Sequence, residues 1–164
     1  MSNSFSVVTY SPADVYLTIG GYRLTGWDTI TITRSTKAFK TIKGIRGKNT
    51  RDRVLDTSAT IAINMIQTSP SNDVLSTIHN MDIQNGTGRI ELTLSDKSGK
   101  STFSSTEGYI TGFPVAAFSG DFSYRVWEIF LQSTTVYNVA GNTRPETSLF
   151  DSLLSNVSDF VSGL

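Results

Sequence analysis

The fold class of this chain is decided by VYLTIGGYRLTGWDTITITR, residues 15–34. Between Val15 and Ile19 an aliphatic side chain stands at every second position, which is the period of two expected of a half-buried β-strand. Gly20-Gly21 then supplies a hairpin turn into a second short strand. The alternation resumes between Trp27 and Arg34. The stretch therefore predicts a hairpin followed by a further strand.

The same pattern recurs along the chain, with β-branched and aromatic residues dominating each run. Further strands are predicted over residues 57–67, 89–95, 101–105, 109–113 and 122–136. The last run is longer than an ordinary strand, so part of it is expected to extend beyond the core. In the first of these runs, two alternative sets are predicted to face inward: Ile61, Ile63 and Met65, or Ala59, Ala62 and Ile66.

Two segments have helical periodicity instead. After Pro70 the apolar residues Val74, Leu75, Ile78 and Met81 recur at helical spacing, which predicts one helix. Residues 146–163 carry an apolar stripe typical of an amphipathic helix. Its members are Leu149, Phe150, Leu153, Leu154, Val157, Phe160 and Val161.

These elements predict a mainly β fold, an antiparallel sandwich or barrel with one flanking α-helix and a C-terminal amphipathic helix. A length of 164 residues fits one β domain, here residues 1–144, followed by the helical segment 145–164. The chain has 14 basic and 14 acidic residues and no cysteine. This composition argues against a general attraction to nucleic acid and excludes disulfides and thiolate metal sites. No signal peptide or transmembrane segment is expected.

Catalytic chemistry is poorly represented. His79 is the only histidine, so a typical zinc site cannot be assembled, and we interpret it as a packing or surface residue of the predicted helix. No serine lies in a G-x-S-x-G elbow, and Gly44-x-x-Gly47-Lys48 lacks the spacing of a phosphate-binding loop. We therefore expect no catalytic, cofactor or metal site and predict that the protein is not an enzyme.

Charge is concentrated in residues 34–53, which hold eight basic residues and one acidic one. The glycines at 44 and 47 suggest a strand end that runs into a mobile basic loop at 43–54. Three interpretations are open: a solvated hairpin tip, a phosphate-binding surface for nucleic acid, or a docking arm for an acidic surface on another copy. The neutral net charge favours the arm. The candidate interface residues are Lys43, Arg46, Lys48, Arg51 and Arg53.

Several segments carry a resemblance to a known family. They are YSPADV at 10–15, LTIGG at 17–21, LTGWD at 24–28, ITI at 30–32, the charged loop at 43–53, TIAI at 60–63 and SNDVL at 71–75. Over residues 10–140 the chain resembles the tail tube proteins of contractile-tailed bacteriophages and the related type VI secretion tubes. The C-terminal helical segment departs from a minimal tube subunit.

The resemblance implies a virion subunit, assembled in the host cytoplasm, whose six copies form rings by sheet pairing. The rings would stack into a hollow tube, with the sheath and baseplate proteins as partners and with DNA passing through without sequence-specific binding. In this family a long loop reaches a neighbouring subunit or ring, and residues 43–53 occupy that position here. The alternative is a β-sandwich module that binds carbohydrate or a host receptor, for which Trp27, Trp127 and the tyrosines could form an aromatic platform.

Overall fold

The computed structural model of the chain describes residues 8–143 and 149–163. A short 3-10 helix at Pro12–Asp14 precedes ten strands and two α-helices. The strands are β1 (Val15–Ile19), β2 (Tyr22–Arg23), β3 (Trp27–Arg34), β4 (Phe39–Lys43), β5 (Asn49–Arg53), β6 (Ala59–Ile66), β7 (Ile90–Asp96), β8 (Thr102–Gly112), β9 (Tyr124–Leu131) and β10 (Val136–Asn138). The helices are α1 (Ser71–Asn85) and α2 (Leu149–Ser162).

The main sheet is antiparallel throughout, in the order β2-β1-β7-β8-β9-β6-β3, and β10 pairs with the first part of β8. Its two edge strands, β2 and β3, follow each other in the chain and are joined by residues 24–26 alone. The sheet must therefore curl until its edges come within reach of that short linker, although no strand pairing among the described residues closes it into a barrel. The predicted mainly antiparallel fold with one flanking and one C-terminal helix is confirmed.

The core lies on the concave face of the curled sheet, because alternate side chains of each strand point to it. In β6 the inward set is Ala59, Ile61, Ile63 and Met65, all fully buried, which confirms the first of the two predicted sets and adds Ala59 to it. Helix α1 covers this core with Leu75 and His79, whereas Met81, one of the apolar residues that indicated the helix, is exposed. Each buried large aliphatic side chain contributes about 1.5–3 kcal/mol relative to an exposed one.

The single long strand predicted for residues 122–136 is wrong. The chain forms β9 and then turns at Thr134, whose backbone N–H donates to the carbonyl of Thr57 at 3.1 Å and whose hydroxyl donates to the same oxygen at 2.8 Å. This anchor lets β10 pair with β8. Conversely, the strands predicted at 101–105 and 109–113 are one strand, β8, with an irregular register opposite β7.

Gly26, in the linker between the edge strands, has φ +73°, and a Cβ added there would lie 2.7 Å from the Cβ of Ser69. We expect Gly26→Ala to destabilise the fold by about 2 kcal/mol or more, because positive φ is strained for alanine and the site has no room. Gly86→Ala is the control, since its φ is +66° and nothing lies within 4 Å of its added Cβ. Urea unfolding of both variants measures the difference, and equal losses would contradict the steric part of the argument.

Candidate self-assembly interface

The predicted basic loop is a regular β-hairpin. Strands β4 and β5 pair antiparallel over their whole length, from Phe39 opposite Arg53 to Lys43 opposite Asn49, and form a two-stranded sheet separate from the main one. The turn is closed by the backbone N–H of Gly44, which donates to the carbonyl of Lys48 at 2.8 Å, and Gly47 adopts φ +81°. We call residues 39–53 the basic arm. Every one of its residues is exposed.

The two faces of the basic arm differ in charge. Residues directly opposite each other in an antiparallel pair share a face, so Lys43, Arg51 and Arg53 lie on one face together with Phe39. The guanidinium of Arg51 sits 4.3 Å from the centre of the Phe39 ring. On the other face Lys40 stands opposite Asp52. The first face is therefore the strongly cationic one, and its aromatic ring holds one arginine in place.

Charge in the whole chain is sharply divided. Eight basic residues and one acidic one give residues 34–53 a net charge of +7, and because the net charge of the chain is 0 the remainder carries −7. Across the described ranges 8–143 and 149–163, no basic side chain of the arm forms an ion pair. The positive surface of one copy is therefore complementary in charge to the negative remainder of another copy.

The basic arm also exposes large apolar side chains. Phe39 and Ile42 are each 49% exposed, and Ile45, at the tip, is 107% exposed. Just beyond the arm Leu55 is 80% exposed. A merely solvated hairpin gains nothing from such side chains, whereas apolar and arginine-rich composition is typical of the central part of a protein interface. The arm therefore has the composition of a contact surface.

A cleft of about 420 Å³ lies at the foot of the basic arm. Arg34, Arg51 and Arg53 line it together with Asp56, and the guanidinium of Arg34 lies 4.7 Å from the centre of the Tyr137 ring. The backbone N–H of Ser58 donates to Asp56 at 2.9 Å and, with the Ser58 hydroxyl and the nearby Arg34, lowers the pKa of that carboxyl. With one carboxylate among three guanidiniums, the cleft keeps a net positive charge that suits a carboxylate from another chain.

All five residues predicted as interface candidates lie on the basic arm. Lys43, Arg51 and Arg53 share its cationic face, and Arg46 and Lys48 belong to the turn. Their role in an interface stays a prediction. The apolar members Phe39, Ile42 and Ile45 were not predicted, although their regular spacing among the lysines is visible in the sequence.

A second surface is available for association, the outer edge of β3. β3 is eight residues long and pairs only with β6 in the described part of the chain. The other edge strand, β2, has only two residues. A long free edge is a template for strand pairing with another chain. Along most of β3, half-buried residues alternate with exposed ones, as expected of a strand that packs one face against the core.

The histidine and the two tryptophans considered as candidate functional residues pack within the fold. His79 is buried and its ring meets the ring of Phe113 edge-on at 4.5 Å, so it is a packing residue of α1. Trp127 is 1% exposed and Trp27 packs against the core, so these two rings do not form a platform for sugar. Within the described residues, no group of three or more histidine or acidic side chains is placed to hold a metal ion, and no helix is long and apolar enough to span a membrane.

No protein-family model matches the chain. Its fold, however, also occurs in solved components of larger particles. It is similar to the tube-terminating cap of the anti-feeding prophage, with a TM-score of 0.56, 12% identity and coverage of 89% of this chain and 97% of the other. It is also similar to a chain of the virion of a native gene transfer agent, with a TM-score of 0.58, 10% identity and coverage of 78% and 100%. These likenesses define the class of fold.

Sequence similarity identifies the family. The chain is 30% identical over 156 residues to structural protein ORF10 of Pseudomonas phage KPP10, covering 88% of this chain and 90% of that relative. The chain belongs to this family of phage structural proteins.

Proposed function

We propose that the protein is a ring-forming subunit of a contractile phage tail and has no catalytic role. The observation that carries the proposal is the basic arm, which stands apart from the main sheet, exposes both apolar and cationic side chains and is balanced by acid elsewhere in the same chain. Such a surface is useful only against a partner. A second copy supplies the complementary charge, and repeated head-to-tail contacts of this kind close into rings or continue as stacks.

In the proposed assembly, the long free edge of β3 pairs with a neighbouring subunit within a ring, and the basic arm reaches the next ring. Six copies per ring and a hollow stack that conducts DNA follow from the resemblance to tail tube proteins. The sheath and baseplate proteins are then the outer partners, and the virion is the location. The membership of a phage structural family supports this proposal.

A second candidate is a single ring that ends the tube. It is favoured by the fold shared with the anti-feeding prophage cap, which terminates a tube. In that role the basic arm would contact the last ring of a different tube protein, so purified protein would form rings that do not stack on one another.

Negative-stain electron microscopy with mass measurement in solution, at low and high salt, tests the proposal. We expect rings of uniform diameter that stack at low salt and separate at high salt, because ionic contacts between rings are screened. Single rings at every salt concentration would favour the terminating ring. A monomer at every concentration would overturn ring formation and favour the ligand-binding module.

A further inference from the structure

The amphipathic helix α2 leaves its apolar stripe uncovered. The described members of the stripe, Leu153, Leu154, Val157, Phe160 and Val161, are between 51% and 71% exposed. A helix with such a stripe gains stability by burying it against another surface. The described side chains of α2 are all exposed, so no described surface of this copy covers the stripe.

The charge of the helical segment restricts what that surface is. Residues 145–164 contain Glu146, Asp151 and Asp159 and no lysine or arginine. An amphipathic helix that binds an anionic bilayer is rich in basic residues on its polar face. This helix is instead suited to a partner that is both apolar and cationic.

The basic arm has that combination of properties. It exposes Phe39, Ile42 and Ile45, and it is the only strongly cationic surface in the described residues. Its face with Arg51 and Arg53 opens into the 420 Å³ cleft at its foot, which also has the apolar residues Ala38 and Val54 in its wall. The helix and the arm are both uncovered in one copy and complementary in charge and in apolar character.

We propose that α2 of one copy docks on the basic arm of a copy in the neighbouring ring. Its apolar stripe packs on Phe39 and on Ile45 at the tip, and its negative charge lies close to the arm's cationic face. The inference rests on the proposed ring assembly and deepens it, because it assigns the acidic partner of the arm to a particular element of the same chain. Rings are joined in one direction, with each ring giving helices to one neighbour and receiving them from the other.

A pair of matched variants tests the helix. Val157→Asp with Phe160→Asp places two carboxylates in the stripe, and Ser158→Asp with Ser162→Asp adds the same charge to the polar face of α2. We expect the first variant to form single rings without stacks and the second to stack as the wild type does. Normal stacking of the first variant would overturn the docking of α2 while leaving ring formation intact.

Mixing distinguishes docking between copies from docking within one copy. The arm variant Lys48→Glu, Arg51→Glu, Arg53→Glu keeps an intact α2, and the Val157→Asp, Phe160→Asp variant keeps an intact arm. Each is expected to give single rings alone. Mixed, they should give particles of two rings, because one ring can only donate helices and the other can only receive them. A mixture that stays as single rings would overturn docking between copies.

The competing receiver is the apolar loop of residues 113–123, in which Val115 is 85% and Phe118 is 83% exposed. Loss of stacking in Phe118→Asp together with normal stacking in Ile45→Asp would move the docking site to that loop and overturn the proposal. We expect the reverse. Wild-type protein that forms only single rings would also overturn the proposal, and a wild-type monomer would overturn the ring assembly with it.

Discussion

Stacks of rings are expected to disappear when Lys48, Arg51 and Arg53 are all replaced by glutamate. The change removes three positive charges and adds three negative ones on a surface that is proposed to meet acid. Placing like charges against each other costs several kcal/mol. Because about 1.4 kcal/mol is a factor of ten in affinity, the concentration needed for stacking should rise by at least ~100-fold. Electron microscopy and sedimentation measure this concentration.

The monomer fold should survive that change, because all three side chains are exposed and the arm makes no strand pairing with the main sheet. Circular dichroism and urea unfolding check this. The matched control replaces the exposed residues Arg89, Lys97 and Lys100 by glutamate, with the same change in net charge away from the arm. Equal loss of stacking in both variants would mean that net charge, and not the arm, governs association. Normal stacks from the arm variant would refute its docking role.

Local patterns in the sequence were enough to predict most of the sheet. β1 and β3 have the bounds predicted from the sequence, since one buried face imposes an alternation of apolar residues on β1 and on most of β3. The turn at Gly20-Gly21 also forms as predicted, with both residues at positive φ. These features depend on neighbours in sequence and on a single buried face, and both are visible without the structure.

Contacts between distant residues account for what could not be predicted. Residues 122–136 have β-forming composition throughout, and hydrogen bonds to distant residues, such as those from Thr134 to Thr57, accompany the break between β9 and β10. Such partners far along the chain leave no periodic trace in a single sequence. The glycines at 44 and 47 suggested a mobile loop for a different reason: they form the turn of a local hairpin whose residues are all exposed, so no buried face marks its strands in the sequence.

In the candidate interface, too, one property could be predicted from the sequence and another could not. Its charge is evident from the run of lysines and arginines between residues 34 and 53. Its apolar part is not, because exposure of Phe39, Ile42 and Ile45 depends on the arm's standing away from the core. In the sequence their spacing of three is visible, but it does not show that these side chains are exposed.

Trp127→Ala is expected to lower the free energy of unfolding by about 3–5 kcal/mol, the range for removing a large aromatic side chain from a core. Trp127 is 1% exposed, its ring packs against that of Phe113, and its Nε1–H donates to Oδ1 of Asn72 on α1 at 2.9 Å. The substitution therefore leaves a large cavity and removes a link between the sheet and the helix. For a chain of this size the loss corresponds to a fall in Tm of roughly 10 °C.

Trp127→Phe separates the two contributions, because it keeps most of the ring volume and removes the hydrogen bond to Asn72. We expect a loss of about 1–2 kcal/mol for this variant, since a half-buried amide oxygen is left without its donor. Urea unfolding followed by circular dichroism gives both values. A loss of less than about 1 kcal/mol for Trp127→Ala would contradict the core role that its burial indicates. Unchanged stability together with loss of binding to a sugar would make Trp127 a ligand-binding residue.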